Sequence, residues 1–370
     1  MDLFVKKSKK IKTKSILLIR LDSIGDYVLF RNYIEELKKN KKYEDYTITL
    51  LGNNVWKSLS LELDRKFIDN FIWLDRNKFN KNIFYRYKKL QELALNSYEI
   101  ILSPVYSREF FVVDNIVKLV PAKKKIGSKG NLSNIKKWQK NISDDYYTKL
   151  IDAKKEPLFE FNRNKEFFEN FFNYKIDIKK PIITLQNKEI EIELPKKYAV
   201  LFLGGSGKIK KWRIKNFAKV GNHLKKKYGY DIVLCGSSED MENASEFLRY
   251  SEQSTLNLIG KTSLVELSKV IYYGDFMLSN ETLAPHFAVA LQMKHIFVIY
   301  NGNHHGRFVP YPREITKNYH TIYHPYISEN LYEYEKLSNS YGYKSSLDIN
   351  EVSFDIVRNK IDSVLNNFQN

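Results

Sequence analysis

Cysteine is nearly missing from this chain: Cys235 is the only one among 370 residues. That excludes an intrachain disulfide and a cysteine-built metal cluster, and it fits a reducing compartment such as the cytoplasm. Long apolar runs are also lacking, since none approaches the roughly 18 residues of a membrane-spanning helix. The start is rich in lysine (Lys6, Lys7, Lys9, Lys10, Lys12, Lys14), like the basic end of a signal peptide. The apolar segment behind it is short and is stopped by Arg20 and Asp22, so no signal is expected. The glycine-rich segment 204–212 lacks the Gly-Lys-Ser/Thr ending of a P-loop. No recognised nucleic-acid-binding module and no internal repeat appears.

Acidic residues are in deficit. Lys and Arg number 61 against 43 Asp and Glu, a formal net charge of +18. Such a surplus favours an anionic partner: nucleic acid, a lipid surface or a phosphorylated substrate. The lysine-rich start suits peripheral contact with an anionic cytoplasmic leaflet. Compositional drift toward lysine accounts for the same surplus without any function.

What is present is alternation. Ile16–Ile19, 47–51, 71–74 and 100–102 read as strands, with helical patterns over about 28–37, 82–96 and 108–119. Residues 122–145 are basic and polar and read as a loop or insertion. Residues 159–172 form a Phe-rich amphipathic helix. The segment 181–197, with Pro181, Pro195 and a run of charge, reads as a linker. Alternation restarts at 198–203, with further strands at 232–236, 256–259, 276–279 and 295–299. This pattern predicts two α/β, doubly wound Rossmann-like domains facing a cleft, each with a mostly parallel sheet. The boundaries are 1–180 and 198–345. The tail 346–370 carries a helix, from the spacing at 351–366, that packs back on the first domain.

Four constellations stand at predicted strand ends, where ligands sit in open α/β sheets. Arg20-Leu21-Asp22-Ser23-Ile24-Gly25-Asp26 follows the first strand and sets Asp26 at the lip of a cleft, placed like a base. Gly204-Gly205-Ser206-Gly207-Lys208-Ile209-Lys210-Lys211-Trp212 joins small residues, lysines and a helix start. Backbone N–H groups and ammonium charge there suit a phosphate. Ser279-Asn280-Glu281-Thr282-Leu283-Ala284-Pro285-His286 ends a strand and begins a helix that Asn280 or Thr282 can cap. Asn301 to Pro310 holds the adjacent pair His304 and His305. Neighbouring side chains rarely converge on one ion and no third ligand is apparent, so no metal is expected. Arg307 is the better candidate there, as a phosphate or carboxylate contact.

In this order, Asp22 to Asp26, Lys210-Lys211-Trp212, Gly260 to Leu267 and Ser279 to His286 resemble the heptosyltransferase family, glycosyltransferase family nine. The resemblance implies a GT-B fold, with the acceptor on the first domain and a nucleotide sugar on the second. By the same resemblance Asp26 is the catalytic base, with Asp22 and Arg307 as further acceptor or phosphate contacts. The donor contacts are Gly205, Ser206, Lys210, Asn280, Glu281, Thr282 and His286. Glu281 stands where the family usually has Asp, Leu283 where it has Gly, and Arg213 where it often has Pro. No Asp-x-Asp pair is evident, so the expected transfer is metal-independent and inverting, with no cofactor besides the nucleotide diphosphate sugar. ADP-heptose is the first candidate donor. The expected acceptor is a lipopolysaccharide or another surface glycan, and the expected place is the cytoplasm or the cytoplasmic face of the inner membrane. The alternatives are a nucleotide-sugar epimerase on the same fold and a non-catalytic basic binding protein.

Overall fold

The computed structural model describes residues 5–205 and 207–367. The chain forms two compact units. One is built from the chain up to Glu156 with Glu160–Ile178, the other from Pro157–Phe159 with the chain from Lys179 onward.

The first unit holds β1 (Ser15–Arg20), β2 (Thr47–Asn53), β3 (Asn70–Leu74), β4 (Tyr98–Ser103), β5 (Ala122–Ser128) and β6 (Lys149–Ile151). They pair in parallel in the order β3-β2-β1-β4-β5-β6. The register sets Ile16 against Ile48 and Ile100, and Leu18 against Leu50 and Leu102. Every residue of β1 is buried, as expected for a parallel strand covered on both faces, whose sequence reads as a continuous apolar run.

The second unit holds β7 (Tyr198–Phe202), β8 (Asp231–Cys235), β9 (Thr255–Asn257), β10 (Phe276–Asn280), β11 (His295–Tyr300) and β12 (Tyr319–Tyr323). Its parallel order is β12-β11-β10-β7-β8-β9. Counted from the first strand of each unit, the two sheets have one topology, with the second and third strands on one side and the fourth to sixth on the other. The winding reverses between β1 and β4 and between β7 and β10, and a crevice opens at such a point beyond the carboxyl ends of the strands.

Three departures from the sequence reading have physical causes. The stretch 122–145 is not a loop: it contains β5 and the helix Lys137–Asp144. Lys123 and Lys124 are exposed, which hides the strand signal. Lys125 lays its ammonium on the carbonyls of Val117 (2.6 Å) and Lys118 (3.2 Å), closing the end of a helix. The helix after β1 is two, Ile24–Phe30 and Asn32–Lys39. Between them Arg31 turns inward to Asp64, with Nε at 3.1 Å and Nη2 at 3.0 Å. Tyr27 and Ser60 also donate to Asp64, whose carboxyl burial pushes up although Arg31 pulls it down. The tail forms the helix Phe354–Asn366, but it does not pack as expected. Its buried Val357, Ile361 and Leu365 complete the second unit's own core with Phe217, Val220 and Leu224 of the helix Ile214–Tyr228. Asp362 clamps that packing, accepting from Tyr228 at 2.7 Å and meeting His223 at 2.7 Å.

Candidate functional site

In the first unit, β1 runs directly into the turn that begins the helix Ile24–Phe30. Arg20, the last residue of β1, is fully buried. Its guanidinium meets Asp22 at 2.8 Å, Asn164 at 3.0 Å and Glu160 at 3.4 Å, and lies 4.6 Å from the centre of the Phe30 ring. The turn's carbonyls are held as well. Leu21 O accepts from Asn53 (3.2 Å) and Arg76 (3.0 Å), and Asp22 O from Asn53 and Trp56 (both 3.0 Å). Arg76 reaches on to Glu109 in a two-pronged ion pair of 2.7 and 2.8 Å. Asp26 stands in the first turn of its helix, half-buried. Asp22 is thus engaged by Arg20, and Asp26 is carried on a turn whose backbone is fixed by four hydrogen bonds from three side chains.

In the second unit, the loop after β7 is pinned by β10. Asn280, the last residue of β10, donates to the carbonyls of Leu203 and Gly204 (both 3.1 Å) and accepts from the backbone N–H of Trp212 (3.1 Å). Trp212 is buried and donates through Nε1 to Val352 O at 2.6 Å. The glycine at 204 is a steric requirement: a Cβ there would stand 2.5 Å from Asp240 Oδ2. Gly205 is half-buried; Ser206 lies outside the described residues.

The loop carries Lys210 to Glu281, with Nζ 2.7 Å from Oε2 and both side chains nine-tenths buried. Asn303 donates to the same oxygen at 3.0 Å, and His304 Nδ1 lies 2.8 Å from Oε1. Asn303 itself is oriented by Ser345, whose N–H reaches its Oδ1 at 3.2 Å. Burial drives the Glu281 carboxyl up, but His304 and then Lys210 outweigh it and hold it below the usual carboxylate range. An ionised carboxylate in an enclosed place is stable only with such partners. A second anion approaching here meets a cation whose position is already set.

Thr282 occupies the cap position of the helix Leu283–Ala290 but makes no side-chain cap bond. His286 lies inside that helix, buried, with Nδ1 2.6 Å from the Tyr311 hydroxyl. Burial lowers its pKa to about 4 against the pull of Glu281, so the ring is neutral near pH 7. Arg307 packs its guanidinium over Tyr343 (4.6 Å) and Phe308 (5.3 Å).

The structure therefore brings Lys210, Asn280, Glu281 and the Gly204-Gly205 turn together in the second unit, and Asp22 and Asp26 in the first. Asn280 is a tie between strand and loop, its amide spent on the backbone. His304 and His305 diverge: His304 serves Glu281, while His305 is buried against Tyr300 at 3.0 Å. Among the described residues no group of three His, Cys, Asp or Glu is arranged for a metal ion. Sequence reasoning missed Asn303, and it weighed His304 only as a metal ligand. Only the polar cluster Asn301–His305 signalled them.

A family model for glycosyltransferase family 9 (heptosyltransferase) matches residues 86–332. A solved family 9 glycosyltransferase from Veillonella parvula DSM 2008 is 14% identical, with 97% of this chain and 99% of that one covered and a TM-score of 0.72. The E. coli ADP-heptose LPS heptosyltransferase II is 15% identical, over 96% of this chain and 100% of its own, at 0.66. E. coli heptosyltransferase WaaC, solved with ADP-2-deoxy-2-fluoro heptose, is 15% identical over 95% and 99%, at 0.68. At these identities the likeness concerns the fold, which is the GT-B fold of two parallel α/β sheets. No curated protein sequence matches the chain.

Proposed function

The chain belongs to glycosyltransferase family 9, the heptosyltransferases, and on that premise we propose that it moves a heptose or related sugar from a nucleoside diphosphate sugar to a hydroxyl of a lipopolysaccharide or other surface-glycan acceptor. The transfer inverts the anomeric carbon and uses no metal. The observation that carries this reading is the Lys210–Glu281 pair, 2.7 Å apart at the end of a glycine turn.

A sugar hydroxyl is a weak nucleophile. Asp26 takes its proton as the oxygen bonds to the anomeric carbon, a role that contributes roughly 10²–10⁴-fold when well placed. The bond from that carbon to the diphosphate oxygen breaks, and the negative charge passes to the leaving nucleoside diphosphate. Lys210, the N–H groups near Gly205 and Ser206, and those at the start of the helix Leu283–Ala290 stabilise it. Glu281 repels phosphate, so its part is to fix Lys210 and to accept from the donor's hydroxyls. Thr282 adds a hydroxyl beside it, and His286 supports the helix from within. Asp22 and Arg307 serve as acceptor or phosphate contacts. ADP-heptose is the first donor to test, since WaaC has been solved with a fluorinated ADP-heptose.

Among the described residues no helix is long and apolar enough to cross a membrane. Action at the cytoplasmic face of the inner membrane would then rest on peripheral contact. The test is calorimetric titration with ADP, UDP and GDP, then product analysis with ADP-heptose and lipid acceptor. Tight ADP binding lost in Lys210→Ala, and a new glycolipid product, support the proposal. Epimerised donor formed without acceptor overturns it.

A further inference from the structure

One face of the first unit is apolar where a water-soluble surface has no need to be. Phe84 is 83% exposed, Phe111 63% and Trp138 54%, with Ile83 and Ile142 also open. They come from three segments: the first turn of the helix Ile83–Leu95, the wide turn Phe110–Asp114, and the helix Lys137–Asp144. These segments are physically joined. Arg86 donates to the carbonyl of Phe111 at 2.9 Å, and the Phe110 ring lies 5.0 Å from Phe111 and 5.8 Å from Trp138. Exposed aromatic and branched side chains grouped in this way mark an interaction surface.

The surrounding charge selects the partner. Lys81, Lys88, Lys136 and Lys137 are exposed around these residues, Lys88 one helical turn from Phe84 and Lys137 beside Trp138. The acids of the same segments are engaged: Glu109 by Arg76, and Asp144 by Arg108 and Lys140. Asp145 is the exposed acid at the far end of the patch. Aromatic rings flanked by lysines match the boundary of an anionic bilayer, where rings sit among the headgroups and ammonium groups meet lipid phosphate.

Position gives the surface a purpose. Arg76 donates to Leu21 O in the Asp22–Asp26 turn and pairs with Glu109, next to Phe110. One arginine thus ties the candidate base's turn to the aromatic face. We propose that Phe84, Phe111 and Trp138, with the lysines around them, dock the first unit on an anionic phospholipid surface. Asp26 is thereby held close to a lipid-borne hydroxyl. The inference rests on the acceptor being a glycolipid, as proposed above.

Sedimentation with sucrose-loaded vesicles tests it, using phosphatidylcholine alone and with about one third phosphatidylglycerol. The wild-type chain is expected to sediment with the anionic vesicles. Emission of a Trp73→Phe background should shift to the blue, because Trp56 and Trp212 are already buried and Trp138 is then the one exposed indole. Phe84→Ser/Phe111→Ser/Trp138→Ser keeps every lysine and should weaken binding by roughly 100-fold, from the apolar area withheld. Lys81→Glu/Lys137→Glu should weaken it by about 10-fold or more and make the remaining binding less sensitive to salt. Unchanged thermal midpoints show that both variants fold. Absence of binding, equal binding by the triple-serine variant, or self-association through these rings in place of lipid binding overturns the proposal. ADP titration of the same samples reports separately on the donor site: loss of nucleotide binding with vesicle binding intact sinks the transferase reading and leaves the docking surface standing.

Discussion

The turn after β1 and the loop after β7 sit at the same place in two sheets of one strand order, and they are built by opposite means. After β1 the backbone is gripped by side chains from elsewhere in its unit: Asn53, Trp56 and Arg76 all reach the carbonyls of Leu21 and Asp22. The carboxylates carried there are Asp26, half-buried in the first helical turn, and Asp22, which Arg20 engages. After β7 Asn280 of the neighbouring strand ties both ends of the loop, with Asn301 donating to the Ile209 carbonyl between them, and the charge brought to the strand ends is the ammonium of Lys210, balanced by Glu281. Equal topology therefore supplies position only. The side chains at the switch point decide whether the place suits removal of a proton or reception of an anion.

The largest expected effect separates these roles. Asp26→Asn should lower the transfer rate by roughly 10²–10⁴-fold and leave ADP affinity within about two-fold, as single-turnover kinetics and calorimetry would read. A parallel fall in ADP affinity would mean that the two regions do not divide the work. Lys210→Ala is the converse. It removes a charge-assisted contact, so the Kd for ADP should rise about 10- to 100-fold. It also strips Glu281 of its closest cation, at about 1–3 kcal/mol of stability since His304 and Asn303 remain. Lys210→Ala/Glu281→Gln should recover most of that stability and none of the affinity. Recovery of both would make the pair merely structural.

Asn280→Ala probes the means of support. Three hydrogen bonds vanish and two carbonyls and an N–H lose their partner, an expected cost of about 2–4 kcal/mol in urea unfolding. Asn53→Ala, its counterpart in the first unit, should cost less, because Trp56 and Arg76 still hold the same two carbonyls. Equal losses would erase the contrast between loop ends that share one tie and carbonyls that each have two donors.

Much of this was legible beforehand, for definite reasons. Buried parallel strands such as Ile16–Ile19 and Tyr198–Phe202 are unbroken apolar runs, and the residues at their carboxyl ends are placed by topology alone. What was hidden is of two kinds. β5 and β12 carry lysines, tyrosines and a histidine, and Lys125 conceals its burial by reaching helix carbonyls with its tip. Partner choice is hidden too: nothing local distinguishes Asn280, which ties a loop 76 residues earlier, from a ligand contact. Nor does spacing tell that His304 turns to Glu281 while His305 turns to Tyr300. Those pairings are made by the tertiary fold across long stretches of chain.

The smallest effect uses a titration that only the second region possesses. His286, beside the Glu281 cluster, has its pKa lowered by burial to about 4, while Glu281 raises and His304 lowers it through space. The unfolded chain takes up the proton near the ordinary value of 6.5, so between pH 6.5 and 4 the unfolded state binds more protons and folding stability falls with acidification. Above 6.5 the contribution is fully present. His286→Gln keeps a polar partner for Tyr311 without titrating. Urea unfolding between pH 6.5 and 4 should therefore show a slope shallower by about 1 kcal/mol per pH unit than in the wild-type chain. His305, also lowered to about 4, continues to titrate in both. An unchanged slope would mean that His286 is reached by solvent in the folded state, and the buried neutral support assigned to that helix would fall with it.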